Sequence, residues 1–125
     1  MKTVYLAGTM AHDWRVPVKR AIEEAGASAW LPQDNPQQSA ALYVPKDLEM
    51  ARDCDALLAV IDATHSAWGT HAEMGVAFSA GKPIWLVWCR GPHIYSFSAV
   101  MAYKVFTDLQ PAVDDLIKFL QEGIL

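Results

Sequence analysis

The segment DALLAVID, residues 55–62, restricts the possible folds more than any other part of the chain. Its centre, 56–61, is apolar without interruption, whereas a strand with one wet face alternates apolar and polar residues. A strand of this kind is buried on both faces, as the central strands of parallel sheets are. Because parallel strands are joined by crossover connections, we expect helices on both sides of this strand.

The rest of the chain alternates short β-rich apolar runs with longer stretches of helical periodicity. This alternation predicts a single α/β domain over residues 1–125, a three-layer sandwich in which helices cover both faces of a five-stranded parallel sheet. We predict the flavodoxin-like strand order 2-1-3-4-5. Residues 32–44 are predicted as a loop, and 89–102 have no clear pattern. The predicted strands are 2–8, 28–31, 55–62, 82–88 and 104–107, and the predicted helices are 16–26, 45–54, 70–81 and 111–123.

Charge and composition argue against several kinds of partner. The sequence has ten Lys and Arg and fourteen Asp and Glu, which gives a net charge of −4. Because the basic residues form no stripe along the sequence, we expect no nucleic acid polymer as partner. No apolar run approaches the roughly 18 residues of a membrane span, so we expect no membrane association and a cytoplasmic location. The four His and two Cys are dispersed, and GxGxxG and Walker motifs are absent from the sequence, so we predict no metal and no cofactor.

In the predicted sheet the chain reverses direction between strands 1 and 3, and ligands bind at such a switch point. The loop that follows strand 1, residues 8–15, begins with Gly8 and Thr9. Together with the N-terminus of the next helix, these two residues form a candidate anion site, with Arg15 as a phosphate partner.

The loop that follows strand 3, residues 63–70, contains three further candidate substrate contacts, which are Ser66, Trp68 and Gly69. Trp68 here and Trp14 in the first loop are candidates to stack on a planar base. Packing against the protein itself explains both tryptophans equally well.

The segment GTHAEMG, residues 69–75, places Glu73 on the first turn of the predicted helix 70–81. With Thr70 three residues earlier, Glu73 matches the TxxE capping box. Alternatively, the positive end of the helix dipole lowers its pKa and keeps it ionised, as a nucleophile or electrostatic stabiliser requires. Spacing alone favours the cap, whereas the position at the switch point favours a role in binding or catalysis.

Three other polar residues are candidates to act with Glu73. Tyr5, in strand 1, can reach the carboxylate with its hydroxyl and hold it in one rotamer. Asp47, at the start of the second helix, can supply the acid that protonates a leaving group, as glycosidic chemistry requires. Asp62, at the end of strand 3, competes for the role of Asp47. Each also has a structural explanation as a half-buried strand residue or a charge at a helix end.

Three segments together resemble the nucleoside 2-deoxyribosyltransferase-like superfamily, VYLAGTMAHDWR, KDLEMARDCDALLAVIDA and WGTHAEMGVAFSAGKPI. The resemblance covers about residues 3–88 and implies a five-stranded parallel α/β fold. It also implies that Glu73 attacks C1′ of a deoxyribose, that Tyr5 orients Glu73, and that Asp47 assists departure of the base.

A weaker similarity lies in FSAVMA, residues 97–102. It resembles the segment with which N-glycosidases of 2′-deoxynucleoside 5′-monophosphates lend a serine across a dimer interface. The resemblance implies that Ser98 is this residue and that the protein forms a homodimer or a higher homo-oligomer.

One position departs from the family pattern. Many members have Asp directly before the Gly of GTxxE, and here Trp68 stands in that place. The departure concerns selection of the base and sugar rather than glycosyl transfer itself, and Asp62 is a candidate replacement.

The predicted function is cleavage or transfer at the N-glycosidic bond of a (deoxy)nucleoside or nucleoside 5′-monophosphate, through a covalent glycosyl–Glu73 intermediate. Water as acceptor makes the protein a hydrolase, and a second base makes it a transferase. Trp68 favours the alternative of a non-catalytic nucleotide-binding or sensing module on the same fold. A third possibility is an interaction domain in which Glu73 only caps its helix.

Overall fold

A computed structural model describes residues 1–8, 13–34, 39–62 and 67–123. Two predicted substrate contacts, Thr9 and Ser66, lie outside these residues. The strands are β1 (Thr3–Gly8), β2 (Ser28–Trp30), β3 (Ala56–Asp62), β4 (Ile84–Cys89) and β5 (Lys104–Phe106). The helices are α1 (Arg15–Glu24), α2 (Ala40–Asp53), α3 (Trp68–Ser79), α4 (Ser96–Met101) and α5 (Leu109–Glu122), with a short 3₁₀ helix at Pro32–Asp34.

The strands form one five-stranded sheet in which every neighbouring pair is parallel, in the order β2-β1-β3-β4-β5. This confirms the predicted flavodoxin-like order. β3 lies at the centre, and its residues 56–61 are buried, as the unbroken apolar run predicts. β1 and β3 are neighbours, so the switch point lies between their carboxyl ends.

The sheet separates two apolar clusters, because alternate side chains of each strand point to opposite faces. On one face Val4 and Leu6 of β1 pack with apolar residues of α1 and α5. On the other face Tyr5 and Ala7 pack with residues of α2 and α3, and Met101 of α4 joins the edge of this cluster. The predicted three-layer sandwich is therefore confirmed.

Helix α2 begins earlier than the sequence predicts. Pro45 was expected in the first turn, because a helix leaves the N–H groups of that turn free. Instead the amides of Leu42 and Tyr43 bond to the Ser39 carbonyl and start the helix, so Pro45 lies in its interior. The prediction of a loop over 32–44 is therefore wrong at its C-terminal end. The early turns were missed because their exposed residues carry no apolar periodicity.

Two further differences concern helix positions. Helix α3 begins at Trp68 rather than at Thr70, so Glu73 lies in its second turn. The stretch 89–102, which has no clear sequence pattern, contains the short helix α4, in which Ser98 is the buried residue. Within the described ranges, no helix is both long and apolar enough to span a bilayer.

Gly8 ends β1 in a conformation and a space that exclude other residues. Its φ is +139°, and a Cβ added there would lie 2.4 Å from the Val60 carbonyl oxygen of β3. Only glycine accommodates both the positive φ and the close approach. The chain can thus leave the sheet at the switch point without separating β1 from β3.

Candidate active site

The centre of the candidate site is a hydrogen bond from the Tyr5 hydroxyl to the Glu73 carboxylate. Tyr5 is fully buried in β1, and its side chain points to the face that α3 covers. Burial and the neighbouring Glu73 raise the pKa of the Tyr5 hydroxyl far above its ordinary value, so this group remains a donor. The predicted contact between these side chains, 68 residues apart in sequence, is present.

Glu73 carries a strongly perturbed carboxyl group. Burial has the largest effect on the pKa of Glu73 and raises it. The hydrogen bond from Tyr5 has the next largest effect and lowers it, and the nearby Asp47 raises it. The resulting pKa of Glu73 is about 7. The expected lowering of this pKa by the helix dipole is wrong, because Glu73 lies beyond the first turn and desolvation dominates. The capping box is also wrong, because the N-cap residue is Ala67, which has no capping side chain, and Thr70 is buried inside the helix.

Asp47 brings a second carboxylate to the same place. It is 8% exposed on the face of α2 that packs toward α3, and its charge raises the pKa of both Glu73 and Tyr5. Because like charges repel, an ionised Asp47 favours the protonated form of Glu73. The arrangement can therefore hold one carboxylate and one carboxylic acid.

Arg15 lies behind this pair and not on the surface. It is 1% exposed, its Nε donates to the Leu6 carbonyl at 3.1 Å, and its Nη2 donates to the Gly8 carbonyl at 2.7 Å. The Trp14 ring lies against the guanidinium, 4.6 Å from its central carbon. Arg15 is therefore bound to the end of β1, and Trp14 packs against it. Arg15 is thus not presented to solvent as a phosphate contact, whereas Trp14 remains partly exposed.

Asp62 lies at the carboxyl end of β3, the other strand of the switch point. It is partly buried beside Cys89 of β4, and its charge acts on the pKa of that thiol. Among the described groups, those that shift the pKa of Glu73 are Tyr5, Asp47 and Arg15, so the structure does not bring Asp62 into the carboxylate pair.

Trp68 and Gly69 open helix α3, and Trp68 is 84% exposed. A pocket of about 730 Å³ lies between this helix start and the segment after β4. Glu73 does not line the pocket, because it lies about 200° around the helix from His71, which does. The pocket and the Tyr5–Glu73 hydrogen bond thus lie on different sides of α3. Its walls include Trp68, His71, Trp88, Arg90, His93 and Tyr95.

Ser98 is fully buried within its own chain. Its hydroxyl oxygen lies 2.5 Å from Nε2 of His71, whose Nδ1 lies 2.8 Å from the Ala67 carbonyl. Because a carbonyl only accepts, the neutral ring carries its proton on Nδ1, and Nε2 accepts from Ser98. In the single chain Ser98 therefore joins α4 to α3 and is not exposed to a partner. His71 is not among the residues that the sequence predicts for the site, and its only signal is its place inside GTHAEMG.

Within the described ranges, no group of three or more His, Cys, Asp or Glu side chains is arranged to hold a metal ion. A buried carboxylate with a tyrosine donor and a second carboxyl group beside it suits nucleophilic attack coupled to proton transfer.

Solved structures with the same fold include two 2-deoxyribosyltransferases and a CMP N-glycosidase. The 2-deoxyribosyltransferase of Bacillus psychrosaccharolyticus aligns with a TM-score of 0.73 and 19% identity, over 92% of this chain and 90% of that chain. The 2-deoxyribosyltransferase of Leishmania mexicana aligns with a TM-score of 0.75 and 20% identity, over 94% and 98%. The CMP N-glycosidase of Clostridium botulinum aligns with a TM-score of 0.63 and 20% identity, over 97% and 99%.

At these identities the structural similarities establish the fold alone. Among curated protein sequences, none matches this chain. The sequence model of one family, described as nucleoside 2-deoxyribosyltransferase, matches residues 4–102, which include β1 with Tyr5, α2 with Asp47 and α3 with Glu73. The match spans most of the 125 residues. The chain therefore belongs to the nucleoside 2-deoxyribosyltransferase family, a family of enzymes that act on small nucleoside or nucleotide substrates.

Proposed function

We propose that the protein cleaves or transfers the N-glycosidic bond of a (deoxy)nucleoside or nucleoside 5′-monophosphate through a covalent glycosyl–Glu73 intermediate. The observation that carries this proposal is the buried Tyr5–Glu73 hydrogen bond with Asp47 beside it. A poorly hydrated carboxylate is a stronger nucleophile than one in water, and the tyrosine donor holds it in a single orientation.

The proposed roles follow from the charges around the two carboxyl groups. The hydrogen bond from Tyr5 and the charge of Arg15 favour the ionised form of Glu73, whereas burial and the charge of Asp47 oppose it. For the reaction we assign the role of nucleophile to Glu73 as a carboxylate and the role of proton donor to Asp47. Glu73 attacks C1′ and forms the ester bond as the bond from C1′ to the base nitrogen breaks. The departing base takes the bonding electron pair, and Asp47 gives it a proton. Water or a second base then attacks C1′ and gives a proton to the Asp47 carboxylate, and Glu73 leaves as a carboxylate.

Substrate contacts are proposed at the carboxyl ends of β1 and β3. Gly8, which ends β1 at the switch point, is proposed as one of them. Trp68 and Gly69 open α3, where the exposed indole can stack on a base and the backbone N–H groups of the first turn can bind an anion. Thr9 and Ser66, from the two loops, are proposed as further contacts.

The test is incubation of the protein with each deoxynucleoside, ribonucleoside and 5′-monophosphate, with free base measured by chromatography. Glu73→Gln keeps the size of the side chain and removes the nucleophile. With a slow substrate whose sugar carries 2′-fluorine, the intact mass of the quenched protein should rise by one glycosyl group in the wild type and not in Glu73→Gln. Base release by Glu73→Gln at the wild-type rate would disprove the assignment.

The exposed Trp68 supports a second candidate, a nucleotide-binding or sensing module without catalysis. An indole stands where many family members carry an acid, which changes recognition of the sugar or base. In that case a nucleotide binds in calorimetry and is recovered intact after hours with the protein. Release of base under the same conditions excludes this alternative.

We also propose that the protein is a homodimer that joins through α3 and α4. Phe78, Phe97 and Val100 are 48%, 64% and 73% exposed, and they line one apolar groove between the two helices. A monomer that leaves such a surface in water is prone to associate. Val100→Glu should shift the mass in light scattering to that of one chain, whereas Val16→Glu, at an exposed apolar position of α1, should not.

A further inference from the structure

The pocket beside the start of α3 is walled mainly by aromatic side chains. Its volume of about 730 Å³ lies within the roughly 300–1,000 Å³ of small-molecule sites. Trp68, Trp88 and Tyr95 contribute rings to the walls, and His71 and His93 contribute imidazoles. Trp68 is 84% exposed and Tyr95 is 52% exposed, so much of their ring surface is open to solvent. Walls of this kind suit a flat ring that can stack on them.

Several of these walls are held in place by contacts within the chain. Nε1 of Trp88 donates at 3.0 Å to a backbone carbonyl of the segment after β4. His71 bonds through both ring nitrogens, to the Ala67 carbonyl and to the Ser98 hydroxyl. The Tyr95 ring meets the His71 ring edge to face, with 5.3 Å between the ring centroids. Because these side chains are already ordered, a ligand can bind with little further loss of side-chain freedom.

The walls also indicate the chemistry of the ligand. Aromatic pockets can hold organic cations, but none of the described residues that line this one is acidic, and Arg90 is among them. An uncharged ring therefore fits better than a cation. The Tyr95 hydroxyl and the His93 imidazole can each donate and accept hydrogen bonds at the edge of such a ring. A nucleobase combines a flat ring with donors and acceptors along its edge, and it is part of every nucleoside substrate of the family.

The pocket does not coincide with the proposed catalytic centre. The hydrogen bond between Tyr5 and Glu73 lies on a different side of α3, so a base held in the pocket is not placed for attack by Glu73. Trp68, at the start of the helix, is common to the pocket and to the proposed substrate contacts. Tyr95 and His93 belong to the pocket wall alone, so these two positions can separate the two sites.

We propose that this pocket is a second binding site, which takes a nucleobase either free or as part of an intact nucleoside. The base stacks on the rings of Trp68 and Tyr95, and its edge forms hydrogen bonds with the Tyr95 hydroxyl and with His93. The choice of ligand rests on the proposed function, which releases or consumes a free base. The location of the site rests on the walls themselves.

The first experiment follows the indole N–H signals by ¹H–¹⁵N NMR in Glu73→Gln, which leaves nucleosides intact. The probes are adenine, cytosine, their 2′-deoxynucleosides and deoxyribose 5-phosphate. A base or its deoxynucleoside should shift the signal of Trp88 in the pocket wall, and the two kinds of probe distinguish the two sources of the base. Trp85 lies outside the described wall and donates to Asp115 at 2.7 Å, so its signal should stay. Deoxyribose 5-phosphate should shift neither signal. If no base-containing probe shifts the Trp88 signal, the proposal is overturned.

The second experiment compares variants of the wall by the same titration. Tyr95→Leu removes one stacking ring and should weaken binding of the base about 10-fold. His93→Ala, at an exposed position, removes one polar partner and should weaken it severalfold. Tyr103→Leu is the control, because that tyrosine is 46% exposed and is not among the described residues of this wall. Unchanged affinity in both Tyr95→Leu and His93→Ala overturns the proposal, and His93→Ala decides alone if Tyr95→Leu fails to fold.

Kinetics with Glu73 intact separate a second site from the substrate's own site. Tyr95→Leu should keep the wild-type kcat/KM for base release, because the pocket and Glu73 lie on different sides of α3. A rise of KM that matches the loss of base affinity would show that the substrate itself occupies the pocket, which overturns a second site. If no substrate is turned over, the proposed function fails, while the Trp88 signal still decides whether the pocket binds a base.

Discussion

The Tyr5 hydroxyl in β1 donates a hydrogen bond to the Glu73 carboxylate in the second turn of α3, which joins the two elements at the switch point of the sheet. The Tyr5 side chain leaves the sheet on the face that α3 covers, and α2 brings Asp47 to the same place. The bond makes the orientation of the candidate nucleophile depend on the interior of the sheet and not on a loop. Substitutions at these positions therefore test the mechanism with little change of surface.

Tyr5→Phe should lower kcat/KM about 10- to 100-fold, because a hydrogen bond to a charged group contributes about 1.5–3 kcal/mol. The ring keeps its packing in the buried cluster, so the melting temperature should change little beyond the loss of that bond. The pKa of Glu73 should rise in this variant, because the Tyr5 hydrogen bond lowers it. Steady-state kinetics and a pH profile check both effects, and an unchanged profile would show that the hydroxyl does not act on Glu73.

The pKa of Glu73 also predicts how stability depends on pH. Burial raises this pKa from 4.5 in the unfolded chain to about 7 in the folded one. Between these values the folded state binds more protons than the unfolded state, so the contribution of Glu73 to stability is present below pH 4.5 and is lost as the pH rises through 7. Glu73→Gln removes this loss.

Glu73→Gln should accordingly be more stable than the wild type at pH 8, by up to about 3 kcal/mol, with the difference vanishing toward pH 4.5. Urea unfolding at several pH values measures it. Glu49→Gln, on an exposed part of α2, is the matched control and should show no such trend. Equal pH dependence in Glu73→Gln and the wild type would contradict the raised pKa.

Asp47→Asn should slow base release by about 10²- to 10⁴-fold, the usual contribution of a general acid. A substrate whose base already carries a positive charge, such as 7-methyl-2′-deoxyguanosine, leaves without protonation and should lose far less. The variant should also shift the acidic limb of the pH profile to lower pH, because the charge of Asp47 raises the pKa of Glu73. Asp53→Asn, exposed on the same helix and paired with Arg52, is the control. An equal loss for both kinds of base would argue against acid catalysis by Asp47.

The sequence predicted the elements whose patterns are strong. The apolar run 56–61 identified the central strand, and the alternation of strands and helices predicted the sheet order that the structure confirms. The same topology placed Tyr5 and Glu73 within reach of each other. Tyr5 lies in β1, Glu73 lies in the helix that follows β3, and these two strands meet at the switch point.

What the sequence could not predict depends on burial and on partners far along the chain. The helix dipole and the TxxE spacing are local signals, whereas the pKa of Glu73 is set by desolvation that only the packed helices produce. Arg15 has the spacing of a loop phosphate ligand, but the early end of β2 leaves carbonyls that bind it instead. The α2 start was missed because exposed turns lack periodicity.

Ser98 provides a test of whether α4 acts within its own chain or across an interface. In the structure its hydroxyl is buried against His71, so Ser98→Ala removes a hydrogen bond and should lower the free energy of unfolding by about 1 kcal/mol. If the serine instead contacts the phosphate of a partner's substrate, the variant should keep its stability and raise KM for 5′-monophosphates more than for nucleosides. Ser96→Ala, exposed on the same helix, should do neither. Stability and KM respond separately, so urea unfolding and kinetics on the two variants distinguish a hydrogen bond inside one chain from a contact between two chains. We expect Ser98→Ala to lose stability.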